Sequence, residues 1–331
     1  MYILQFACFF LPLSIYISLN NSGWLAWTAM ILSFGFLPLF ELLVPTPAPK
    51  MVQPVVDFKV FIYDSFLWIM VGCHFYFIGT FLFLLHTNIG QFSDLSLVGW
   101  ILAMGISHGV VSINVAHELG HRTNPVFQWG AKSLLLSSFY GHFMIEHNKG
   151  HHRHVATPLD PATAKRGQAV YTFWFQSVWG SFKSALHLDK KDTLIGFSLQ
   201  VLFIFFIALY FGAEIAFYFW ISQIMGILLL ETVNYIQHYG LERKINTSGR
   251  YEKVQNAHSW NSDHLLSRLI LFQLSRHSDH HTYINRPYYE LNFLADSPAL
   301  PTGYPGMVLL SLIPPLWFKK MNPLIDKQSE K

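Results

Sequence analysis

The feature that most restricts this chain is a succession of apolar runs. Tyr2 to Leu19, Trp24 to Val44, Val60 to Leu85, Leu95 to Val115, Leu194 to Phe211 and Ile215 to Tyr235 each suffice to cross a hydrocarbon layer of about 30 Å at about 1.5 Å per residue. Lipid offers no water to backbone N–H and C=O groups, so continuous apolar runs of this length must satisfy those groups internally, as helices. Composition agrees: 52% of the 331 residues are hydrophobic and 12% charged, with a mean hydropathy of +0.32, too apolar for an ordinary soluble domain. The expected fold is an all-α integral membrane protein with six transmembrane helices, 2–19, 24–44, 60–85, 95–115, 194–211 and 215–235, in a single domain over residues 1–331. The first run has neither a basic start nor a small-residue cleavage site and reads as a retained span. Pro45-Thr-Pro-Ala-Pro49 closes the second, because proline removes donors and stops a helix.

Charge distribution orients these spans. The connections 20–23, 86–94 and 212–214 contain no lysine or arginine, and all 22 basic residues fall in the opposite set of segments. The positive-inside rule then places that set, with the segments 117–192 and 236–306, in the cytoplasm. Phe127 to Ile145 is apolar enough to be mistaken for a span. Crossing there would separate His121 from His147 by the bilayer, so a re-entrant or interface-hugging hairpin is expected. Met307 to Phe318 is short and broken by Pro314-Pro315, and should lie at the surface, while Tyr171 to Leu188 reads as an amphipathic interfacial helix.

Every histidine cluster then emerges on the cytoplasmic side. His117-Glu-Leu-Gly-His121, His147-Asn-Lys-Gly-His151-His152 and His277-Ser-Asp-His280-His281 hold eight of the seventeen, and His238 adds a ninth. Residues four apart share a helical face, so His117 with His121, and His147 with His151, can aim two rings at one point. Imidazole is the commonest metal ligand. A catalytic zinc needs about three protein ligands, whereas two ions with four or five each would use all nine. The set therefore reads as one di-metal site. Cys8 and Cys73 both lie in apolar runs and provide no thiolate site. The His117-Glu118-Leu-Gly-His121 stretch alone also fits an HExxH zinc protease, but seven further histidines speak against it. A two-metal hydrolase usually adds bridging carboxylates, and a histidine-rich transporter would spread its ligands through the membrane depth.

Four stretches, His117-Glu-Leu-Gly-His-Arg122, Glu146-His-Asn-Lys-Gly-His-His-Arg-His-Val-Ala-Thr-Pro-Leu-Asp160, Asn234-Tyr-Ile-Gln-His-Tyr-Gly-Leu241 and Leu274-Ser-Arg-His-Ser-Asp-His-His281, resemble the signature motifs of the membrane alkane 1-monooxygenases, within the fatty acid desaturase and hydroxylase superfamily. The likeness runs over roughly residues 60 to 300. It implies two iron ions held by His117, His121, His147, His151, His152, His238, His277, His280 and His281, dioxygen as co-substrate, and electrons from rubredoxin or ferredoxin with its reductase. It also implies a bacterial inner membrane with the active site facing the cytoplasm; nucleic acid is not an expected partner. The implied reaction is hydroxylation of a terminal methyl group, alkane to 1-alkanol, on a hydrocarbon entering from the bilayer. Gln237 and Ser275 stand where the family more often has Glu and Gln. This leaves open an aromatic methyl group, as in the xylene and cymene monooxygenases, then a lipid desaturase or hydroxylase.

Metal-bound histidines generally hand their second nitrogen to an acceptor. Glu118, Glu146, Asp160, Glu231 and Asp279 are the candidates, against capping or pairing with Arg122, Arg153 or Arg276. Val110, Val111, Asn114, Gly226, Leu229 and Leu230 are expected to wall an apolar substrate tunnel. His74, His86, His108, His142, His154, His187, His258 and His264 are expected to be structural. Lys149, Arg153, Lys165, Arg166 and Arg286 could attract an acidic electron carrier or anionic lipid.

Overall fold

The computed structural model describes residues 2–44, 46 and 57–329. Among these the chain is helical, its extended pairings being the isolated bridges Ile245–Tyr251 and Asn261–Ala299. In chain order the elements are α1 (Ile3–Leu19), α2 (Gly23–Leu43), α3 (Phe58–Thr87), α4 (Asp94–Gly120), α5 (Pro125–Ser137), α6 (Val170–Leu188), α7 (Lys190–Phe211), α8 (Ala213–His238), α9 (His277–Thr282), α10 (Tyr304–Ser311) and α11 (Pro314–Ser329). Five of them, α2, α3, α4, α7 and α8, are long and apolar enough to cross a membrane, and α1 is a shorter apolar helix tightened by a 3-10 turn at Phe6–Phe9. Apart from Thr46, the proline run 45–49 lies outside the described residues.

Local chemistry sets several helix starts. Ser93 caps α4 by accepting from Ser96 N, Asn124 caps α5 by accepting from Val126 N with Pro125 at the first turn, and Asp189 accepts from Asp192 N at the head of α7. The other ends overshoot the expected limits at 115 and 235. α4 continues to Gly120 and α8 to His238, so a cluster histidine stands in the last turn of each helix.

α4 is the central helix, with 78% of its most apolar stretch buried, against 11% for α7, which presents itself to lipid. α4 and α8 run the same way and cross closely through small residues. A Cβ on Gly226 would lie 2.8 Å from Gly109 N and against His108 Cβ, and one on Gly109 would lie 3.0 Å from Gly226 O. Contact of this kind, backbone on backbone, is how helices associate where lipid removes the hydrophobic drive. It brings the C-terminal ends of both helices together.

The hairpin expected between His121 and His147 forms. α5 packs along α4, with Ser112 Oγ donating to Leu134 O at 2.9 Å, and the chain reverses at Phe139, whose φ of 58° is left-handed. The returning stretch sets the His121 and His147 rings 5.2 Å apart, centre to centre. α6 buries Val170, Phe173, Ser177, Ser181 and Ala185 and exposes Tyr171, Phe175 and Trp179, the alternation of an interfacial helix. The helix break at Leu312 and Ile313, just before Pro314, leaves α10 with 8 residues, too short to cross; α11 then buries Trp317 and Met321 and exposes Lys319 and Lys320.

Substituting Gly226→Val should cost about 1–3 kcal/mol through overpacking and lower the thermal unfolding midpoint in detergent. Gly196→Ala, in α7 with nothing within 4 Å of the added carbon, should leave that midpoint unchanged in the same assay.

Candidate metal centre

The nine histidines meet below the joined ends of α4 and α8 in two adjacent groups. His117, His121, His147, His152 and His280 form one, and His151, His238, His277 and His281 the other; within each group the candidate ligand atoms all lie within 4.8 Å of one another. Eight of the nine are buried, His121 partly so. Their Nε2 atoms point at each other: His117 and His280 at 3.1 Å, His147 and His152 at 3.0 Å, His238 and His277 at 3.0 Å, His277 and His281 at 2.9 Å. An ion that takes imidazole nitrogens at about 2.1 Å holds any two of them at most about 4.2 Å apart, so small ring rotations would close each group on one ion. Neither group contains a carboxylate or a thiolate.

His147 and His151 do not share a target, although their rings stack at 5.1 Å. The backbone from His147 to His151 is a π-turn, whose hydrogen bonds join positions five apart and so widen the turn relative to an α-helix. His147 therefore joins His152, and His151 crosses to the other group. The doublets work by splitting: in a helix adjacent side chains diverge by about 100°, so His151 and His152 serve different groups, as do His280 and His281.

Among the described residues, one of the five candidate carboxylates bonds a cluster imidazole. Asp160 Oδ2 accepts from His151 Nδ1 at 3.0 Å and from Thr163 Oγ1 at 2.6 Å, and its Oδ1 accepts from Ala162 N at 3.0 Å. The others have different partners. Glu118 pairs with Arg122 at 2.9 Å and accepts from Tyr288 N, and Asp279 accepts two bonds from Arg286 Nη1 and a third from Asn292 N. Glu146 accepts from Ser184 Oγ at 3.3 Å. Glu231 accepts from Tyr140 Oη at 2.6 Å, from Ser177 Oγ and from Asn234 Nδ2. Tyr140, Ser177 and Ser184 escaped sequence reasoning, since nothing local marks a tyrosine or serine that far along the chain as a partner of these carboxylates.

The electrostatics favour lone pairs over protons. Burial, and then neighbouring imidazoles, press His147, His152, His277, His280 and His281 well below the ordinary histidine range, and burial with His151 and Arg122 lowers His121 to about 4. At His151 burial pushes the same way but is outweighed by the charge and hydrogen bond of Asp160, so its affinity for a proton rises. Asp160 is correspondingly held below its usual value by His151 and Thr163, against its burial.

Comparison with known proteins now separates the possible chemistries. Residues 95–310 match the fatty acid desaturase family model. Alkane 1-monooxygenase 2 of Alcanivorax borkumensis is 37% identical over 96% of this chain and 88% of its own length. The chain belongs to the alkane 1-monooxygenase family. The alkane 1-monooxygenase of Pseudomonas putida is 36% identical over 92% of the chain and 80% of its own length, and the xylene/toluene monooxygenase hydroxylase component of Pseudomonas putida 30% over 68% and 63%.

For an alkane monooxygenase the surroundings of the cluster matter as much as the ligands. An apolar groove of about 550 Å³ opens between α2, α4 and α8, lined by Met30, Ile101, Met225 and Leu228 among others. Phe34, Leu229 and Val308 also wall a narrower cavity of about 60 Å³ reaching Val110, Val233 and Leu271. A last small space lies against Asn114, His117 and His280. Of the expected wall residues, Val110, Leu229 and Asn114 line these spaces. Val111 and Leu230 are buried in the core, and Gly226 packs at the α4–α8 crossing. Gln237 donates to Tyr304 Oη at 2.9 Å.

Several other histidines make structural bonds. His74 bridges Ser107 and Ser137, His108 bonds Ser138, and His258 meets Glu252. Three of the five basic residues considered for docking are already paired, Lys149 with Asp189, Arg166 with Asp326 and Arg286 with Asp279.

Two outcomes follow. Asp160→Ala should lower metal affinity about 10–100-fold, the usual loss when a ligand imidazole's outer partner is removed, while Asp279→Asn should leave metal content near that of the parent; metal analysis after dialysis decides. In chelator-treated protein, histidines depressed in the fold bind protons more readily when unfolded. Stability should therefore be level above about pH 6.5 and fall as the pH drops below it. His151 has the opposite sign but is one group against six. A thermal midpoint flat from pH 7 to pH 5 (about 2 units) would contradict this.

Proposed function

We propose that the protein hydroxylates the terminal methyl group of a hydrocarbon, alkane to 1-alkanol, at two iron ions held by the nine clustered histidines. The observation that carries this is the convergence of nine buried imidazoles into two all-nitrogen groups of five and four, in a chain of the alkane 1-monooxygenase family. The donor set fits two ions of that ligand number and is excessive for one zinc. When bound, the iron pair supplies the activation of dioxygen that an inert C–H bond requires.

The protein's own work is to hold, orient and keep dry. Asp160 holds His151 by its Nδ1 proton, leaving Nε2 free to face the second group. The apolar spaces at Phe34, Leu229 and Val308 suit a hydrocarbon arriving from the bilayer, and the space at Asn114 and His280 would receive its methyl end. Neither needs a charged side chain, because no charge develops on the substrate until oxygen arrives.

We read α1 as a sixth crossing helix: its 17 residues reach about 26 Å, close to the hydrocarbon thickness. The cluster would then face the cytoplasm of a bacterial inner membrane, as the lysine and arginine distribution supports. Rubredoxin or ferredoxin, with its reductase, would deliver electrons there.

The test is expression in a host without hydrocarbon oxidation, fed medium alkanes and methylbenzenes, with alcohols identified by mass spectrometry. We expect 1-alkanols, about two irons per chain, and in His277→Ala a loss of more than about a hundredfold, beyond that expected of an outer-shell change. Benzylic alcohols alone would instead favour the aromatic reading suggested by the 30% identical xylene/toluene relative. One zinc per chain with activity surviving in His277→Ala would overturn both.

A further inference from the structure

We propose that a row of aromatic rings running from the imidazole cluster through Tyr140 to Trp179 is an escape route for oxidising equivalents, protecting the protein when oxygen is activated without substrate. The proposal rests on the oxygenase reading above and adds a second task for the same site.

The row is continuous. Phe143 stacks on His147 with ring centres 4.9 Å apart and planes 21° from parallel, and Tyr140 stacks on Phe143 at 5.7 Å and 24°. His142 meets Tyr140 at 4.7 Å, Phe182 meets His142 at 5.4 Å, and Trp179 stacks on Phe182 at 6.0 Å and 22°. The inner end is buried, whereas Trp179 is 59% exposed. Only Tyr140 and Trp179 have rings that give up an electron readily; Phe143, His142 and Phe182 close the gaps between them.

Packing alone would not require what surrounds Tyr140. A phenol is readily oxidised only if its proton can leave with the electron, since its radical cation is a strong acid. Tyr140 Oη donates at 2.6 Å to Glu231, a buried carboxylate that also receives Ser177 Oγ and Asn234 Nδ2. Three donated hydrogen bonds mark this carboxylate as an acceptor, placed within proton-transfer reach.

Tyr140 gives one electron toward the cluster, lowering its oxidation level by one, and its O–H proton moves to Glu231, leaving a neutral phenoxyl radical and a neutral carboxyl. Trp179 then gives one electron to Tyr140, which recovers its proton from Glu231, and the indole N–H proton passes to water. The Lys183 ammonium, 5.0 Å over the indole, disfavours a cationic ring and so favours loss of that proton. A soluble thiol restores Trp179 by donating one hydrogen atom and becomes a thiyl radical.

The test uses the iron-loaded protein in detergent, reduced and mixed with dioxygen without hydrocarbon, then frozen for electron paramagnetic resonance. Iron content and alcohol yield in a single turnover are recorded on the same preparation, and oxidised residues are mapped by mass spectrometry. The parent should give a neutral tyrosyl radical. Tyr140→Phe should abolish it, keep the iron and the single-turnover alcohol, and raise oxidation of cluster residues severalfold. Trp179→Phe, a change at an exposed ring, should prolong the radical severalfold and remove its sensitivity to thiol. A parent-like signal in Tyr140→Phe, or an unchanged lifetime in Trp179→Phe, overturns the route. Metal-free protein treated with a diffusible photo-oxidant reads the same rings without iron, and should give a tyrosyl signal that both variants lack; a signal unchanged by Tyr140→Phe overturns the route here as well. Absence of iron or alcohol in the parent would instead strike the oxygenase reading, which this second arm does not use.

Discussion

Nine imidazoles can be crowded into one buried space only if their lone pairs have somewhere to go, and the rest of the molecule is arranged around that demand. Nε2 atoms about 3 Å apart would repel as cations, and burial presses nearly all the cluster rings that lie outside the membrane helices toward the neutral form. Neutral rings aimed at common points are metal ligands in waiting. The exception, His151, is the ring with its own carboxylate, Asp160, which fixes the nitrogen that carries the proton.

Bringing those rings together is a problem of helix packing in lipid. Apolar side chains cannot drive association where the solvent is equally apolar, so the fold uses close backbone approach and buried hydrogen bonds. The glycines at 109 and 226 set α4 against α8. His74, bonded to Ser107 and Ser137, and His108, bonded to Ser138, tie α3 and the hairpin after α5 to α4. Tyr140 and Ser177 meet on Glu231 and draw the hairpin and α6 onto α8. In a low-dielectric interior each such bond is strong, and leaving its partner unmet is costly.

Much of this was legible in the sequence. The apolar runs located the long helices, because a bilayer-length run leaves the backbone few options. The histidine spacings located the centre, because chemistry with that many nitrogen donors has few uses other than metal. What could not be read locally was the division of the rings: the π-turn at 147–151 exchanges which histidine faces which group. A helical wheel assumes 3.6 residues per turn, and one wider turn defeats it. The outer partners were equally hidden. Of the five candidate carboxylates, Asp160 holds a cluster imidazole, while Glu231, which shares a helical face with His238, is taken by Tyr140 and Ser177, and Glu118 and Asp279 by Arg122 and Arg286.

Sequence by itself therefore determined the solvent, the secondary structure and the identity of the donor atoms, since each follows from side-chain chemistry and short-range periodicity. Tertiary structure alone decided that the nine rings divide five and four, that Gly226 packs against Gly109 and His108, and that Tyr140 finds Glu231 ninety-one positions away. Those outcomes depend on how helices cross and where one backbone turn widens, and such distances between remote parts of a chain are set by the whole packed assembly rather than by any stretch of it.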